Sequence, residues 1–217
     1  MIDIESISDM FLKNIVINWI FYIGLIIGLF IFSIKSKTNL IINTISIILI
    51  SMSGYFIHII AHKYNFKKLC KKAIKHNSFI TRHNFMKKIT RYCGKIIDFH
   101  RDIHHNTSIN KNLNNQIYEF IHNFVIQGLF IFIIIFISKR LNEKIALVWG
   151  LFYATIHIIN YNIVKPKVHE QHHIDKFTNY GLDVWDILFN TKYDNICENY
   201  NHSVINIILI FYIISLL

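Results

Sequence analysis

Residues 40–62 read LIINTISIILISMSGYFIHIIAH, an apolar stretch that ends on two histidines. The run Leu40–Ala61 contains no Asp, Glu, Lys or Arg, and a helix needs about 20 residues at ~1.5 Å rise each to cross a bilayer core. An open strand could not satisfy its backbone in lipid, so this run predicts a transmembrane helix. His58 and His62 lie four residues apart near its end, a spacing that puts both imidazoles on one helix face.

Three further runs of the 217-residue chain are long and apolar enough to cross a bilayer. Short links join the runs in pairs, so each pair is expected to form a helical hairpin. A shorter apolar stretch, Val204–Leu217, predicts an interfacial or partly inserted tail. We therefore expect an all-α integral membrane protein, a single domain over residues 1–217 with four transmembrane helices in two hairpins and a cytosolic histidine-rich helical cap. The other three runs are Ile15–Ile34, Phe120–Ser138 and Ile145–Val164.

The composition excludes two other classes of protein. Three cysteines in 217 residues make no disulfide framework, and a chain with 53% hydrophobic residues has too much apolar surface to stay disordered in water. The formal net charge of +10 is explained by the membrane topology of the chain and by attraction of its basic residues to anionic lipid headgroups. Nucleic-acid binding is not expected, because no recognition motif accompanies the basic residues.

The basic residues also predict the orientation of the chain in the membrane. Residues 63–118 hold thirteen Lys or Arg and two acidic residues, and Lys and Arg accumulate in the cytoplasmic loops of membrane proteins. With four spans, this rule places residues 63–118, residues 165–203 and both termini in the cytosol.

Nine of the thirteen histidines form clusters with metal-ligand spacing. Separations of three or four residues aim imidazoles at one point from a helix, and neutral imidazole is the commonest protein ligand of transition metals. Nine ligands are too many for one ion and suit two, because a tetrahedral zinc takes three or four. The candidate ligands are His58, His62, His100, His104, His105, His157, His169, His172 and His173.

Other polar residues have supporting interpretations. A metal-bound imidazole gives its second N–H to a neighbouring acceptor, and four carboxylates are candidates for that role, with helix capping or surface charge as an equal alternative. They are Asp98, Asp102, Glu170 and Asp175. Isolated histidines usually belong to the polar surface or the membrane interface, which is the interpretation for the remaining four. They are His76, His83, His122 and His202.

The ordered histidines and the residues after them resemble the fatty acid hydroxylase/sterol desaturase superfamily. The resemblance extends roughly from Gly54 to Asp194. It is reinforced by Asn179-Tyr180-Gly181 and by WDILFNT at residues 185–191, which are similar to that family's Asn-Tyr and Trp-Asp-x-Leu-Phe-Gly-Thr. The match itself is carried by His58-x3-His62, His100-x3-His104-His105, His157 and His169-x2-His172-His173.

The resemblance implies a membrane oxygenase whose catalytic group is a histidine-held non-haem centre of two iron ions. Such an enzyme uses O2 to hydroxylate or desaturate a lipid, a fatty acyl chain or a sterol. It takes electrons from a separate b5-type or NAD(P)H reductase partner and resides in the endoplasmic reticulum. Zinc stays open, because imidazole ligands alone do not separate it from iron. The alternatives are another lipid oxidation, of an ether lipid or a carotenoid, and a catalytically inactive metal-binding membrane protein.

Two positions depart from the family pattern. Asn190 stands where the family has glycine, so a turn with positive φ is expected to use Asn, the next-best residue there. After His157 the family often has a further histidine, whereas this chain has Asn160 and Asn162. An amide can hold a metal-bound water, so we expect one of them, Asn162 before Asn160, to complete the second metal's shell. Bonding to the helix-end backbone is the equal alternative.

Overall fold

The computed structural model describes residues 4–105, 112–129, 131–132, 135–136 and 139–217, without the side chains of residues 4–6, 103, 104 and 129. Over the described residues the chain is helical and contains no strand, which confirms the all-α prediction. The side chain of the candidate ligand His104 lies outside the described part. So do portions of the predicted span Phe120–Ser138 and of the predicted cytosolic segment 63–118.

Among the described residues, two helices are long and apolar enough to cross a membrane. The first is α3, Leu40–Lys63. The second is α8, Glu143–Ile159, which continues through a π-helical turn at Asn160–Val164. They correspond to the second and fourth predicted spans and are consistent with a membrane protein.

The first predicted span forms two helices, α1 at Ile4–Ile17 and α2 at Trp19–Lys35, which meet at a bend of 72°. Taken together this bent pair would be a third membrane-spanning segment. The break is at Asn18, whose buried side chain donates to the Glu198 carbonyl and accepts from the Tyr200 N–H. Contacts with a segment 180 residues away therefore fix the bend.

The third predicted span begins inside a helix and then changes its winding. Helix α7 covers Leu113–Phe124 and passes directly into a π-helical turn at Val125–Leu129. Here Gly128 faces Gly150 of α8, where a Cβ on either residue would come within 3.0 Å of the opposite backbone. The two glycines therefore let these two segments approach closely.

Helices α3 and α8 run side by side in the same direction. The side chain of Asn142, which caps the start of α8, donates to Asn43 Oδ1 in the first turn of α3 at 2.7 Å. Fifteen residues further along each helix come His58 and His157. Each residue of a helix adds ~1.5 Å of rise, and both helices are counted from the contact between Asn43 and Asn142. The two histidines therefore lie at the same level along the helix pair.

The C-terminal helix packs against α2. It is α11, Val204–Ser215, and Phe211 is fully buried beside Phe32 with ring centroids 6.0 Å apart. A Cβ on Gly28 would lie 2.5 Å from the Phe211 ring, so glycine allows this approach. The predicted apolar tail is thus a packed helix, and its twelve residues are too few to cross a bilayer core alone.

The remaining helices are short and lie between or after the long ones. After α3 come α4, α5 and α6, followed by a π-helical turn; after α8 come α9 and α10. Their bounds are Phe66–His76 for α4, Ser78–Arg82 for α5, Asn84–Ile97 for α6, His100–His104 for the turn, Lys167–Ile174 for α9 and Asp183–Leu188 for α10.

Candidate metal centre

Five imidazoles from three separate segments converge on one point. Helix α3 supplies two of them, the segment that follows α6 supplies two, and α9 supplies one. Their ligand nitrogens all lie within 4.8 Å of one another, and four of the five residues are buried. We call them the first ligand group: His58, His62, His100, His105 and His172.

The spacing within the first ligand group suits coordination to a metal ion. His58 Nε2 lies 3.0 Å from His62 Nε2 and 2.9 Å from His100 Nε2. Two nitrogens bound at right angles to one ion, with bonds of about 2.1 Å, lie about 3.0 Å apart. These three side chains could therefore bind a single ion with little rearrangement.

In three rings Nδ1, the nitrogen that points away from the centre, has a hydrogen-bond acceptor in the protein. In two of them this acceptor is a backbone carbonyl. His58 Nδ1 contacts the carbonyl oxygen of Tyr180, and His172 Nδ1 contacts that of Thr178 at 2.6 Å. A carbonyl only accepts, so each Nδ1 carries the proton and each Nε2 keeps a lone pair that points inward. His172 Nε2 is buried and has no hydrogen-bond partner among the described residues.

His100 follows the same pattern with a carboxylate as its acceptor. Its Nδ1 lies 3.1 Å from Glu119 Oε1, which leaves Nε2 for the centre. Glu119 is fully buried on α7, and its Oε1 also accepts from the Asn123 side chain at 3.0 Å. Fixing the tautomer and orientation of a ligand ring from behind is the usual task of a group next to a metal ligand.

A second ligand group lies next to the first. His169 Nε2 is 3.2 Å from His173 Nε2, and the His157 ring centroid is 5.0 Å from that of His169. Glu119 Oε1 lies 3.6 Å from His157 Nε2. The groups adjoin, with ring centroids of His105 and His173 only 4.6 Å apart. We call His157, His169, His173 and Glu119 the second ligand group; the ligand atoms of Glu119 and His157 also lie within 4.8 Å of one another and of His100 in the first group.

Burial keeps three of the histidine ligands outside the long helices uncharged. It lowers the pKa of His172 and of His173 to about 4, and burial likewise lowers the pKa of His105. Neutral imidazole is the form that binds a metal, so these side chains are ready to do so at neutral pH.

Sequence reasoning missed Glu119 and treated His122 as isolated. His122 is buried one helical turn beyond Glu119, and its ring stacks on that of His100 with centroids 6.4 Å apart. The spacing Glu-x-x-His puts both residues on one helix face, and this motif also occurs in di-iron carboxylate bundles. The Glu-x-x-His spacing could therefore have indicated Glu119 and His122 as residues of the site. The position of Glu119 at the edge of an apolar run obscured it.

The predicted carboxylate acceptors have other partners. Asp98 caps α4 by accepting from Phe66 N and Lys67 N at 3.0 and 2.8 Å. Asp102 pairs with Lys67 and Arg101. Asp175 accepts from Phe177 N at 3.0 Å, and Glu170 is exposed on α9. For His58 and His172 the acceptors are backbone carbonyls.

Both candidate asparagines already bond protein groups. The Asn160 amide donates to Glu198 Oε1 at 2.7 Å, and its Oδ1 lies 3.0 Å from His202 Nε2. Asn162 donates to the Ile158 carbonyl at 3.0 Å and accepts from Gln116 at 3.0 Å. Asn162 nevertheless lines the cavity beside the second ligand group, so its role as a water-mediated ligand stays a prediction.

The Asn-Tyr-Gly and WDILFNT motifs position His58. The buried carboxylate of Asp186 accepts from Tyr180 N at 2.9 Å, Gly181 N at 3.1 Å and the Thr191 hydroxyl at 2.6 Å. Asp186 thereby holds the peptide whose carbonyl contacts His58. Asn190 has φ of 53°, which confirms that Asn takes the positive-φ position.

An open cavity adjoins the second ligand group. It has a volume of about 590 Å³, and its lining includes Tyr161, Asn162, His169, His173 and Ile174. The lone histidines His76 and His83 are exposed at the ends of α4 and α5. Only clustered histidines and His122 thus gather at the centre among the described side chains.

Comparison of the chain with family models, curated proteins and solved structures gives no match. The residues of the site and their geometry are therefore the basis for any functional conclusion. A buried histidine cluster that could bind a metal is what they establish.

Proposed function

We propose that this chain is a membrane oxygenase that holds two iron ions and hydroxylates or desaturates a lipid. One observation supports it above the others: five imidazoles bring their ligand nitrogens within 4.8 Å of one another, and His58 Nε2 lies 2.9 Å from His100 Nε2. Nitrogens this close could share one cation, which would bind their lone pairs.

The donor set supports iron over zinc. The second ligand group offers imidazoles together with the Glu119 carboxylate. Glu119 with His100 and His157 brings one carboxylate and two imidazoles within 4.8 Å of one another. Two histidines and one carboxylate with open positions are typical of non-haem iron oxygenases, whereas structural zinc sites are closed and tetrahedral. Together the two groups have more donors than one zinc ion can use.

Bound iron would supply the O2 chemistry that no side chain performs alone. The chain's own residues would do three things. Imidazoles and the Glu119 carboxylate would hold the ions; the backbone carbonyls of Tyr180 and Thr178 would fix the ring orientations from behind; and burial would keep the rings uncharged and exclude water.

The position of the centre favours an apolar substrate. His58 and His62 stand near the end of α3 and His157 near the end of α8, the two helices able to span a membrane. The 590 Å³ cavity beside the second ligand group is in the size range of small-molecule sites. We propose that a fatty acyl or sterol chain reaches it from the bilayer of the endoplasmic reticulum, and that a separate b5-type or reductase donor supplies electrons from the cytosol.

Metal and lipid analysis of the same protein test this proposal. Full-length protein purified in detergent is expected to contain about two iron ions per chain, as the ligand number requires. A host that expresses it should accumulate a hydroxylated or newly unsaturated lipid, and a host that expresses His58→Ala at the same level should not. A metal-free chain would refute the proposal. One zinc ion with no new lipid would instead indicate an inactive metal-binding membrane protein.

A further inference from the structure

One face of α6 is apolar, exposed and unpartnered among the described residues. Phe85, Ile89 and Tyr92 are 72%, 40% and 66% exposed. Their spacing of four and three residues puts them in one stripe along the helix. Gly94, two residues beyond Tyr92, lies against α4, with Cys70 Sγ 3.1 Å from the position of a Cβ there. Two residues turn a helix by about 200°, so the stripe points away from α4.

The same segment has an extreme charge bias. Residues 66–97 hold ten Lys or Arg and no Asp or Glu. Lys67, Lys71, Arg91 and Lys95 line a groove of about 280 Å³ between α4 and α6. Lys67 is paired with Asp102, so Lys71, Arg91 and Lys95 are the groove cations left to bind a phosphate-type anion.

The location of these helices limits what can cover them. Helix α3 ends at Lys63 and α4 begins at Phe66, so only two residues separate a helix able to span a membrane from this segment. Gly94 is buried, but no other residue of α4, α5 or α6 is. The three helices therefore lie where the span leaves the bilayer, with an apolar stripe and a cationic groove exposed.

We propose that α4–α6, residues 66–97, form a platform that docks on an anionic bilayer surface, with the Phe85–Ile89–Tyr92 stripe inserted among the headgroups and the cations bound to lipid phosphates. An exposed apolar face flanked by Lys and Arg is the signature of a helix that lies in the interface. Anionic lipid of the cytoplasmic leaflet supplies the complementary charge. The platform also adjoins the metal centre. Asp98, which caps α4, lies two residues before the ligand His100.

Spin labels on the full-length chain in lipid nanodiscs test the platform. The three cysteines are replaced by Ser, and a label is placed through Tyr92→Cys on the stripe or Lys72→Cys on the exposed side of α4, outside the groove. In a bilayer containing phosphatidylserine, the label at position 92 should be reached by O2 and shielded from a water-soluble nickel chelate. The label at position 72 should show the opposite preference.

The charge requirement is tested with neutral lipid and with charge variants. In phosphatidylcholine alone, or with Lys88→Gln combined with Lys95→Gln, the label at position 92 should become several-fold more accessible to the chelate. Metal content equal to that of the parent protein shows that the labelled chains are folded. Free access of the chelate at position 92 in both bilayers would overturn the proposal. So would shielding that is independent of lipid charge, which would indicate a protein or intramolecular cover.

A label-free measurement covers the case in which a variant fails to fold. Amide hydrogen exchange on the natural sequence should be slower over residues 84–97 in phosphatidylserine nanodiscs than in phosphatidylcholine nanodiscs, with no such difference over α8. Equal exchange in the two lipids would overturn the proposal, whatever metal the centre binds.

Discussion

The metal centre and the platform use histidine in opposite ways. In the centre, His58 and His172 are buried and held from behind by backbone carbonyls. On the platform, His76 and His83 are exposed at helix ends. Both regions follow membrane-type helices and both are rich in polar residues. The difference shows that a histidine becomes a ligand through convergence of several segments and an acceptor for its second nitrogen, and that spacing along one segment is only the first requirement.

The largest effect should separate these two kinds of histidine. His58→Ala or His100→Ala should remove most of the bound metal and abolish lipid oxidation, because either change leaves an incomplete shell around the first ion. The double variant should be little worse than either single one, since the ligands act as a unit. His83→Ala is the matched control and should keep metal content within about twofold of the natural chain, as expected for a surface position. Metal content can be measured by elemental analysis of purified protein. Equal losses from all three positions would remove the distinction between the regions.

A smaller effect is expected at the carboxylate shared by the two ligand groups. Glu119→Gln should lower affinity for the second ion by at least about 10–100-fold, which is the cost of changing even a group next to a metal ligand. Gln keeps the volume and one acceptor but loses the charge that offsets the cation. Titration of metal-free protein with ferrous iron should then show one tight and one weak site.

The control for Glu119 is Glu170, one of the four carboxylates nominated from the sequence. Glu170→Gln on α9 should leave two tight sites, because that side chain is exposed. If Glu170→Gln weakened iron binding and Glu119→Gln did not, a carboxylate nominated from the sequence would be the one that serves the centre.

A third effect concerns the residue that positions His58. In Asp186→Asn, one carboxylate oxygen becomes an NH2 group that faces the N–H of Gly181 or Tyr180. The buried mismatch should cost ~1–3 kcal/mol of stability and should lower metal affinity through the displaced Tyr180 carbonyl. Asp194→Asn is the control, since Asp194 is exposed. Thermal unfolding with and without added iron gives both quantities. If iron raised the unfolding temperature of Asp186→Asn as much as that of the natural chain, Asp186 would have a structural role only.

The long helices and the histidine clusters could be predicted from the sequence because each leaves a local pattern. The uncharged run Leu40–Ala61 became the membrane-type helix α3, and the spacing of His58 and His62 brought both into the first ligand group. Asn190 is a local case too, since a turn that needs positive φ restricts which residues can serve. All of these depend on neighbours within a few positions.

The features that could not be predicted depend on distant partners. The bend at Asn18 arises from hydrogen bonds to the backbone of Glu198 and Tyr200. Glu119 belongs to the centre only because α7 packs beside α8, and its sequence neighbours are apolar. Backbone carbonyls such as that of Tyr180 serve as acceptors without any residue type to mark them. Carboxylates that are near the clusters in sequence, Asp98 for example, bond to other segments of the chain.

The smallest expected effect is on how stability depends on pH. It should come from the buried carboxyls around the centre and not from the exposed charges of the platform. Burial raises the pKa of Glu198 from its ordinary value of 4.5 to about 8. A carboxyl whose pKa is higher in the folded than in the unfolded chain binds more protons when folded. Its contribution to stability is therefore fully present below pH 4.5 and is lost as the pH rises through 8.

The unfolding temperature of the reconstituted protein should accordingly fall as the pH is raised through 8, and Glu198→Gln, which stays neutral, should flatten that slope. Each kcal/mol corresponds to roughly 2–4 °C for a chain of this size. Lys72→Gln on the exposed side of α4 should leave the slope unchanged, because an exposed charge interacts weakly with its surroundings. A slope that responds to Lys72→Gln but not to Glu198→Gln would place the pH-sensitive charge on the platform and reverse the contrast between the two regions.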